Sequence, residues 1–263
     1  FALAKALVKK EIFVDLFYKK KNTKIDTTRT IGISKSNIDY FNNNIINIEK
    51  ILWQIKKIKI YTEKNLKKEI IKFENENKQI FSIIRNYNLQ KVLLDKLNKS
   101  KFVKFKKNLK IDKKKYNLVI NCDPAHIYTK KFFSNKFEKN YNSYAYITTI
   151  THKKIKNNTA YQNFTKTGPL AFLPISEVET SVVYSLRSIN KKDRSEMKNL
   201  IEKYNPIYFI KKINRWSYFE LKSSNLRNYY KDNILAFGDL LHRIHPLAGQ
   251  GFNMSLRDIK LLS

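Results

Sequence analysis

Three of the five glycines in this chain lie in one short stretch, as Gly238, Gly249 and Gly251. At the usual frequency of about 7%, a chain of this length would contain roughly 18 glycines. So few glycines are expected only where the backbone needs a positive φ or must approach a ligand closely. The segment 234–253 is therefore the first place to look for a function.

The residues around these glycines predict a ligand site. An apolar strand over 233–237 runs directly into Gly238-Asp239. A strand that ends in Gly-Asp places a carboxylate at the carboxyl edge of a parallel sheet, where α/β proteins bind ligands. Residues 246–251 then turn into a helix that begins near Phe252 or Asn253, and its free N–H groups favour negative charge. The alternative is that these are ordinary turn glycines.

The hydrophobic pattern predicts an α/β fold interrupted by an antiparallel β part. A helix over 1–10 feeds a buried strand over 11–18, which is half of a βαβ unit. Further buried strands are expected over 116–122 and 233–237. The antiparallel strands are expected over 143–151, 159–165, 170–175 and 180–187. The Lys/Asn-rich stretches 19–24, 63–79 and 98–115 predict solvated loops or helix faces.

Composition leaves two explanations for the strong positive charge. The chain has 53 basic and 22 acidic residues, a net charge of +31. Only eight of the basic residues are Arg, and the Lys residues are scattered in pairs and triplets. A nucleic-acid surface concentrates basic residues on one face and uses Arg forks. We therefore expect compositional Lys bias rather than nucleic-acid binding, while a basic face that touches anionic lipid fits the charge.

Several other features limit the functional classes. Cys122 is the only cysteine, so the chain cannot form an internal disulfide, and we expect it in the core. No apolar run is long enough to span a bilayer. His242 and His245 have the spacing of a metal pair, but no third ligand lies nearby in sequence, so no metal is expected. Neither end has a helix cap, which predicts an internal fragment of a longer protein.

The stretch from Gly238 to Asp258 resembles the second FAD fingerprint of flavin-dependent aromatic monooxygenases. The run His245-Pro246-Leu247-Ala248-Gly249-Gln250-Gly251-Phe252-Asn253 is most similar to the ubiquinone-biosynthesis hydroxylases. Arg29-Thr30 resembles an Arg segment of this family. Residues 164–174 resemble a substrate-domain hairpin. The resemblance covers most of the chain, although the first Gly-rich loop and the C-terminal region of the family are missing.

The resemblance implies a hydroxybenzoate-hydroxylase-like architecture. A Rossmann-like FAD-binding domain would comprise 1–54, 85–135 and 224–263, and an antiparallel β substrate domain would comprise 55–84 and 136–223. It implies FAD as cofactor, reduced by NAD(P)H or another donor, and hydroxylation of a polyprenylated phenol through a flavin C4a-hydroperoxide. It further implies a cytoplasmic protein at the inner-membrane surface, within a ubiquinone-biosynthesis complex.

The same resemblance assigns the site residues. Asp239 would bind the ribityl or phosphate region of FAD, and Arg29 would help to close the site. The candidates for the flavin edge are Pro246, Gly249, Gln250 and Gly251, and the resemblance assigns no catalytic residue. The full cofactor-binding set is Arg29, Gly238, Asp239, Pro246, Gly249, Gln250, Gly251, Phe252 and Asn253.

Three residues depart from the family pattern. Pro124 follows Asp123 where the family has glycine, and proline supplies neither the N–H nor the positive φ. Leu240 and Leu241 replace two alanines after Gly-Asp. These changes leave open a second hypothesis, in which the protein is a non-catalytic homologue that acts as a scaffold in the biosynthetic complex.

Overall fold

The computed structural model describes residues 1–18, 27–65, 68–74, 79–107, 111–187, 193–244 and 250–263. Within these ranges the helices α1 to α6 are Ala2–Lys9, Lys35–Asn44, Asn86–Asn98, Ile127–Phe132, Arg194–Tyr204 and Gln250–Leu262. Short 3-10 turns cover Glu49–Ile51, Lys113–Lys115 and Gly238–Leu240. None of the described helices is both long and apolar enough to cross a bilayer.

The described strands, β1 to β17, form four sheets. In chain order they are Val14–Phe17, Thr30–Ser34, Leu52–Ile55, Lys57–Thr62, Ile71–Glu74, Phe81–Arg85, Val103–Lys106, Val119–Asn121, Lys136–His152, Thr159–Thr165, Gly168–Pro174, Glu179–Arg187, Ile210–Ile213, Ser217–Leu226, Tyr230–Lys231, Ile234–Ala236 and His242–Arg243. The large sheet has the order β17-β14-β9-β12-β11-β10-β4-β5, with β13 also paired to β9.

Two parallel pairs carry the α/β character that the sequence predicts. Strand β1 pairs with β7, and β8 pairs with β16. Helices α2 and α6 pack against β2 of the three-stranded sheet β2-β6-β3, α3 packs against β6, and α1 packs against α3 and α6. Their apolar faces share one core, in which Ile33, Ile38 and Phe41 are fully buried.

The large sheet buries one face under α5. Side chains of its central strands alternate between the two faces, so that Phe172, Val182 and Tyr184 all point into the core beneath that helix. Helix α5 begins with a capping box in which Asp193 and Glu196 satisfy each other's backbone N–H groups. The hairpin between β10 and β11 turns at Gly168, whose φ is 142°. A Cβ there would lie 1.9 Å from the carbonyl oxygen of Ser185, so only glycine fits.

The large sheet and the three-stranded sheet meet through apolar and polar contacts. Ile55, Ile83 and Ala160 form a small shared core. At its border, Arg85 Nη2 lies 2.6 Å from Glu179 Oε2. The indole N–H of Trp53 donates to the carbonyl of Asn157 at 2.6 Å. These contacts fix β3 and β6 of one sheet against the other sheet.

Some sequence predictions are wrong in detail. Residues 71–74 and 103–106 form strands rather than solvated loops, because apolar and charged side chains alternate there and each segment finds a partner strand. Cys122 is exposed rather than in the core, because β8 ends one residue earlier, at Asn121. The predicted loop 19–24 lies outside the described residues. The predicted domain boundaries stay a prediction.

Candidate functional site

Two sequence motifs come together at the carboxyl edge of β8 and β16. These strands are parallel, with Asn121 opposite Ala236, and the N–H of Phe237 donates to the carbonyl of Asn121 at 2.9 Å. Because both strands end at the same edge, Cys122-Asp123 and Gly238-Asp239 leave the sheet side by side. This is the position at which open α/β sheets bind ligands.

Gly238 turns the chain at this edge. Its φ is 65°, a left-handed conformation that favours glycine, and no heavy atom lies within 4 Å of the place where a Cβ would stand. The glycine is therefore needed for backbone conformation rather than for space. It opens the 3-10 turn Gly238–Leu240, which leaves Asp239 exposed to solvent. A free carboxylate in this place can accept hydrogen bonds from sugar hydroxyls.

Helix α6 begins beside this turn and packs against it. Gln250 at its first position is exposed, and the place of a Cβ on Gly251 has no heavy atom within 4 Å. The amide groups of the first helical turn have no partners within the helix, so this open end favours a negatively charged group. The side chain of Phe252 packs towards the core against Phe41 instead, with 6.4 Å between ring centroids.

Asn253 fixes the direction of α6. Its Oδ1 accepts from Nδ2 of Asn37 at 2.8 Å and from the backbone N–H of Ser34 at 3.3 Å. Its Nδ2 donates to the carbonyl of Gly32 at 2.9 Å. One side chain thus ties the first turn of α6 to β2 and to the start of α2. The sequence predicts Asn253 as a cofactor residue, and the structure gives its side chain this anchoring role.

A second contact ties α6 to β17. Nε2 of His242 in β17 lies 3.0 Å from Oδ2 of Asp258, and both side chains are mostly buried. The two atoms are close but not aligned for a hydrogen bond, so the contact is electrostatic when the imidazole is protonated. Among the described residues, no group of three or more His, Cys, Asp or Glu side chains is placed to hold a metal ion.

The Arg29 segment lies against the large sheet. The guanidinium carbon of Arg29 lies 5.8 Å from the centroid of the Phe219 ring, at a distance that allows a cation–π contact. On either side, Thr28 Oγ1 lies 3.3 Å from Ser217 Oγ and Thr30 Oγ1 lies 3.0 Å from Ser181 Oγ. Arg29 therefore stands where the two sheets meet.

The electrostatic environment of Cys122 shows which groups share the edge. Desolvation by the surrounding protein raises the pKa of the thiol, although the residue as a whole is exposed. The carboxylates of Asp239 and Asp123 add to this rise. Cys122, Asp123 and Asp239 therefore lie in one neighbourhood.

Two departures from the family pattern have local structural explanations. Leu240 packs into a core cluster with Val119 and Ile234, so its extra bulk is buried beneath the edge. After β8, Oδ1 of Asp123 accepts the N–H of Ala125 at 2.9 Å, which closes a turn around Pro124. The side chain of Asp123 thus caps the turn that follows β8. Pro124 leaves this turn without one N–H donor.

The described residues fit a flavin nucleotide. An exposed carboxylate for hydroxyl groups and an open helix N-terminus for negative charge lie on elements that touch each other. Glycine stands at 238 and 251, where any side chain would project towards the open space at this edge. Pro246 and Gly249, which the sequence places beside the flavin edge, lie outside the described residues together with His245. Their roles stay a prediction.

Comparison with known proteins decides the family. The model of a family described as "FAD binding domain" matches residues 47–263. The chain belongs to this FAD-binding family. The match includes both the large sheet and the Gly238–Asp258 segment.

The curated relatives act in ubiquinone biosynthesis by name. Ubiquinone biosynthesis monooxygenase COQ6 of Xenopus tropicalis is 25% identical over 165 residues, which cover 47% of this chain and 36% of that protein. The 3-demethoxyubiquinol 3-hydroxylase of Escherichia coli is 30% identical over 112 residues, which cover 40% of this chain and 28% of that protein. The chain therefore spans about a third of the length of the curated relatives that it matches.

The fold is shared with solved flavin enzymes. The p-nitrophenol 4-monooxygenase PnpA of Pseudomonas putida superposes with a TM-score of 0.79 at 11% identity, covering 99% of this chain and 75% of that one. At this identity the likeness concerns the fold alone. It confirms the α/β architecture with an antiparallel sheet that the sequence predicts.

Sequence reasoning missed several residues of the site. Thr28, Ser181 and Ser217 are small polar residues without a motif, and only the packing of two sheets brings them together. The contact between His242 and Asp258 could have been suspected, because both residues belong to the matched stretch. Their side chains meet only because β17 and α6 pack side by side.

The lone cysteine provides a test of the site's position. At an FAD concentration of about 100 times Kd, about 1% of the sites are free, so alkylation of Cys122 by N-ethylmaleimide should slow by up to about 100-fold. The measurement is the labelling rate at pH 8.5, where enough thiolate is present. The control is the same protein in urea, where FAD should have no effect. An unchanged rate with FAD shown to be bound would place the cofactor elsewhere.

Proposed function

We propose that this protein is an FAD-dependent monooxygenase that hydroxylates the phenolic ring of a polyprenylated ubiquinone precursor. The observation that carries the proposal is the contact between α6, with its open N-terminus, and the turn that presents the exposed carboxylate of Asp239. The named activities of the curated relatives supply the reaction class and the substrate class.

Each group at the edge has a defined task in this proposal. Asp239 accepts hydrogen bonds from the ribityl hydroxyls. The N–H groups at Gln250 and Gly251 would hold the flavin ring, and the helix dipole would stabilise negative charge there. Gly249 and Pro246 keep their predicted role beside it. Arg29 closes the site from the large sheet. Bound FAD would supply electrons from NAD(P)H or another donor for the activation of O₂. The flavin C4a-hydroperoxide chemistry is the one that the resemblance implies.

The second candidate function is a catalytically inactive scaffold in a ubiquinone-biosynthesis complex. Pro124 is the observation that favours it, because the turn after β8 lacks an N–H donor that the family's glycine would supply. Leu240 does not favour the scaffold, since its side chain is buried in the cluster with Val119 and Ile234 and does not occupy the edge. The exposed Asp239 favours the enzyme.

Replacement of Asp239 separates the two candidates. We expect Asp239→Ala to weaken FAD binding by about 10- to 100-fold, because hydrogen bonds to a charged acceptor are lost. Binding is measured by the quenching of flavin fluorescence, and activity by the flavin-dependent oxidation of NAD(P)H. Asp95→Ala, at an exposed position in α3, is the matched control and should change neither.

Complementation of a strain that lacks the gene gives the deciding result. If Asp239→Ala abolishes ubiquinone production while Asp95→Ala does not, the protein acts as an enzyme. If Asp239→Ala restores ubiquinone production as fully as the unmodified protein, the enzyme proposal is wrong and the scaffold is favoured.

The proposal includes a cytoplasmic location and contact with the inner membrane, because a polyprenylated substrate partitions into lipid. One exposed apolar surface suits this contact. The Phe209 patch consists of Val178, Ile207 and Phe209, which are 39%, 54% and 62% exposed, together with Lys153. Nζ of Lys153 lies 4.1 Å from the centroid of the Phe209 ring. Exposed aromatic and aliphatic side chains beside a lysine match an anionic lipid surface.

The patch makes a direct prediction for vesicle binding. The double replacement Ile207→Ser and Phe209→Ser should lower binding to vesicles of phosphatidylglycerol and phosphatidylethanolamine by at least about tenfold, because two large apolar side chains no longer enter the lipid. Co-sedimentation measures the effect. Tyr230→Ser, which alters an exposed ring on a different sheet, is the control. Equal binding by the double variant and the control would exclude this patch.

A further inference from the structure

The two faces of the large sheet have different surroundings. In β10, Tyr161 packs into the core beneath α5, and Nδ2 of Asn163 donates to the carbonyl of Tyr204 in that helix at 3.1 Å. Ala160 lies on the opposite face, against Ile55 and Ile83 of the three-stranded sheet. Because strand side chains alternate, Gln162 shares the face of Ala160.

Strand register places Gln162 in a row that crosses this face. Residues directly opposite one another on paired strands point to the same side. From the sheet edge the row runs Ile71, Ile60, Gln162, Ala171, Val183, Ile147 and Ser217. Gln162 is the one polar residue among the first six. Within these six positions the row is otherwise aliphatic, and Ala171 beside Gln162 has a small side chain.

The far end of the row reaches the Arg29 segment. Ser217 contacts Thr28, and Arg29 contacts Phe219, two residues further along β14. Val183 lies two residues from Ser181, which contacts Thr30. The row that carries Gln162 is therefore continuous with the segment that closes the proposed flavin site.

The amide of Gln162 differs from the other buried amides of the sheet. Its Nε2 is shut off from solvent and has no hydrogen-bond partner in the described ranges of the chain. Asn157 and Asn163 are buried too, but each donates to a backbone carbonyl, at 2.8 Å and 3.1 Å. Amides that hold a fold together are normally satisfied in this way, and an unpaired one costs stability.

We propose that Gln162 determines substrate specificity by donating a hydrogen bond to an oxygen substituent on the aromatic ring. The inference rests on the proposed function, because it assumes that the ring lies on this face of the sheet. An N–H donor needs an acceptor, and a hydroxyl, methoxy or carbonyl oxygen supplies one. Ala171 and Val183 next to it provide an apolar surface for the ring.

The test compares two substrates and two variants. The substrates are a short-chain prenylated 2-methoxyphenol and its 2-methyl counterpart, which differ in one acceptor oxygen. We expect the unmodified protein with FAD to prefer the methoxy compound by roughly tenfold or more in kcat/KM, and Gln162→Met to lose this preference. Gln54→Met, at an exposed position in β3, is the control and should keep it.

Thermal unfolding separates specificity from a structural role. Removal of an unpaired buried amide should leave the melting temperature of Gln162→Met unchanged or higher. A marked decrease would show that Gln162 supports the fold and would overturn the inference. Gln162→Leu is the second variant, because leucine is shorter than methionine and tests the same loss of the amide with a different packing requirement.

The outcomes for the two proposals are distinct. If the unmodified protein hydroxylates the phenols and Gln162→Met keeps the same methoxy preference, the inference fails and the proposed function stands. If no phenol is hydroxylated, the proposed function fails. Calorimetric binding of the same two phenols then still decides the role of Gln162, because the methoxy preference must appear in affinity and disappear in the variant.

Discussion

The hydrogen bonds of Asn253 are the constraint on which the rest of the site depends. One amide side chain accepts from Asn37 and the N–H of Ser34, and donates to the carbonyl of Gly32. Because these partners belong to β2 and the start of α2, the first turn of α6 cannot rotate without breaking them. The open N-terminus of the helix therefore keeps a fixed position beside the turn that carries Asp239.

The second constraint is the way in which the two sheets meet. The ion pair of Arg85 with Glu179, the shared apolar cluster and the contacts of Thr28 and Thr30 hold β2 against one face of the large sheet. The same strand β2 receives Asn253 from the other side. A single strand thus links the proposed cofactor site to the face on which Gln162 lies, and it brings the two halves of the proposed active site together.

The sequence predicts this fold well where local chemistry is decisive. The scarcity of glycine directs attention to Gly238, whose positive φ makes the turn, and the apolar strand before it predicts the edge at which Asp239 stands. The sequence is less informative where contacts between distant segments determine the burial and the partners of a residue. Cys122 looks like a core residue because β8 is apolar, but the strand ends just before it. Nothing local to Gln162 shows that its amide is unpaired, since that depends on the register of several strands.

The FAD affinity of Asn253→Ala tests most directly whether the hydrogen bonds of Asn253 hold the N-terminus of α6 in place. Ser255→Ala, which removes only a contact within α6 to the carbonyl of Gly251, is the matched control. We expect Asn253→Ala to bind FAD at least about tenfold more weakly than Ser255→Ala, because the hydrogen bonds to Asn37, Ser34 and Gly32 no longer fix the helix. Equal FAD affinity for the two folded variants would show that α6 needs no such anchor and would contradict the account.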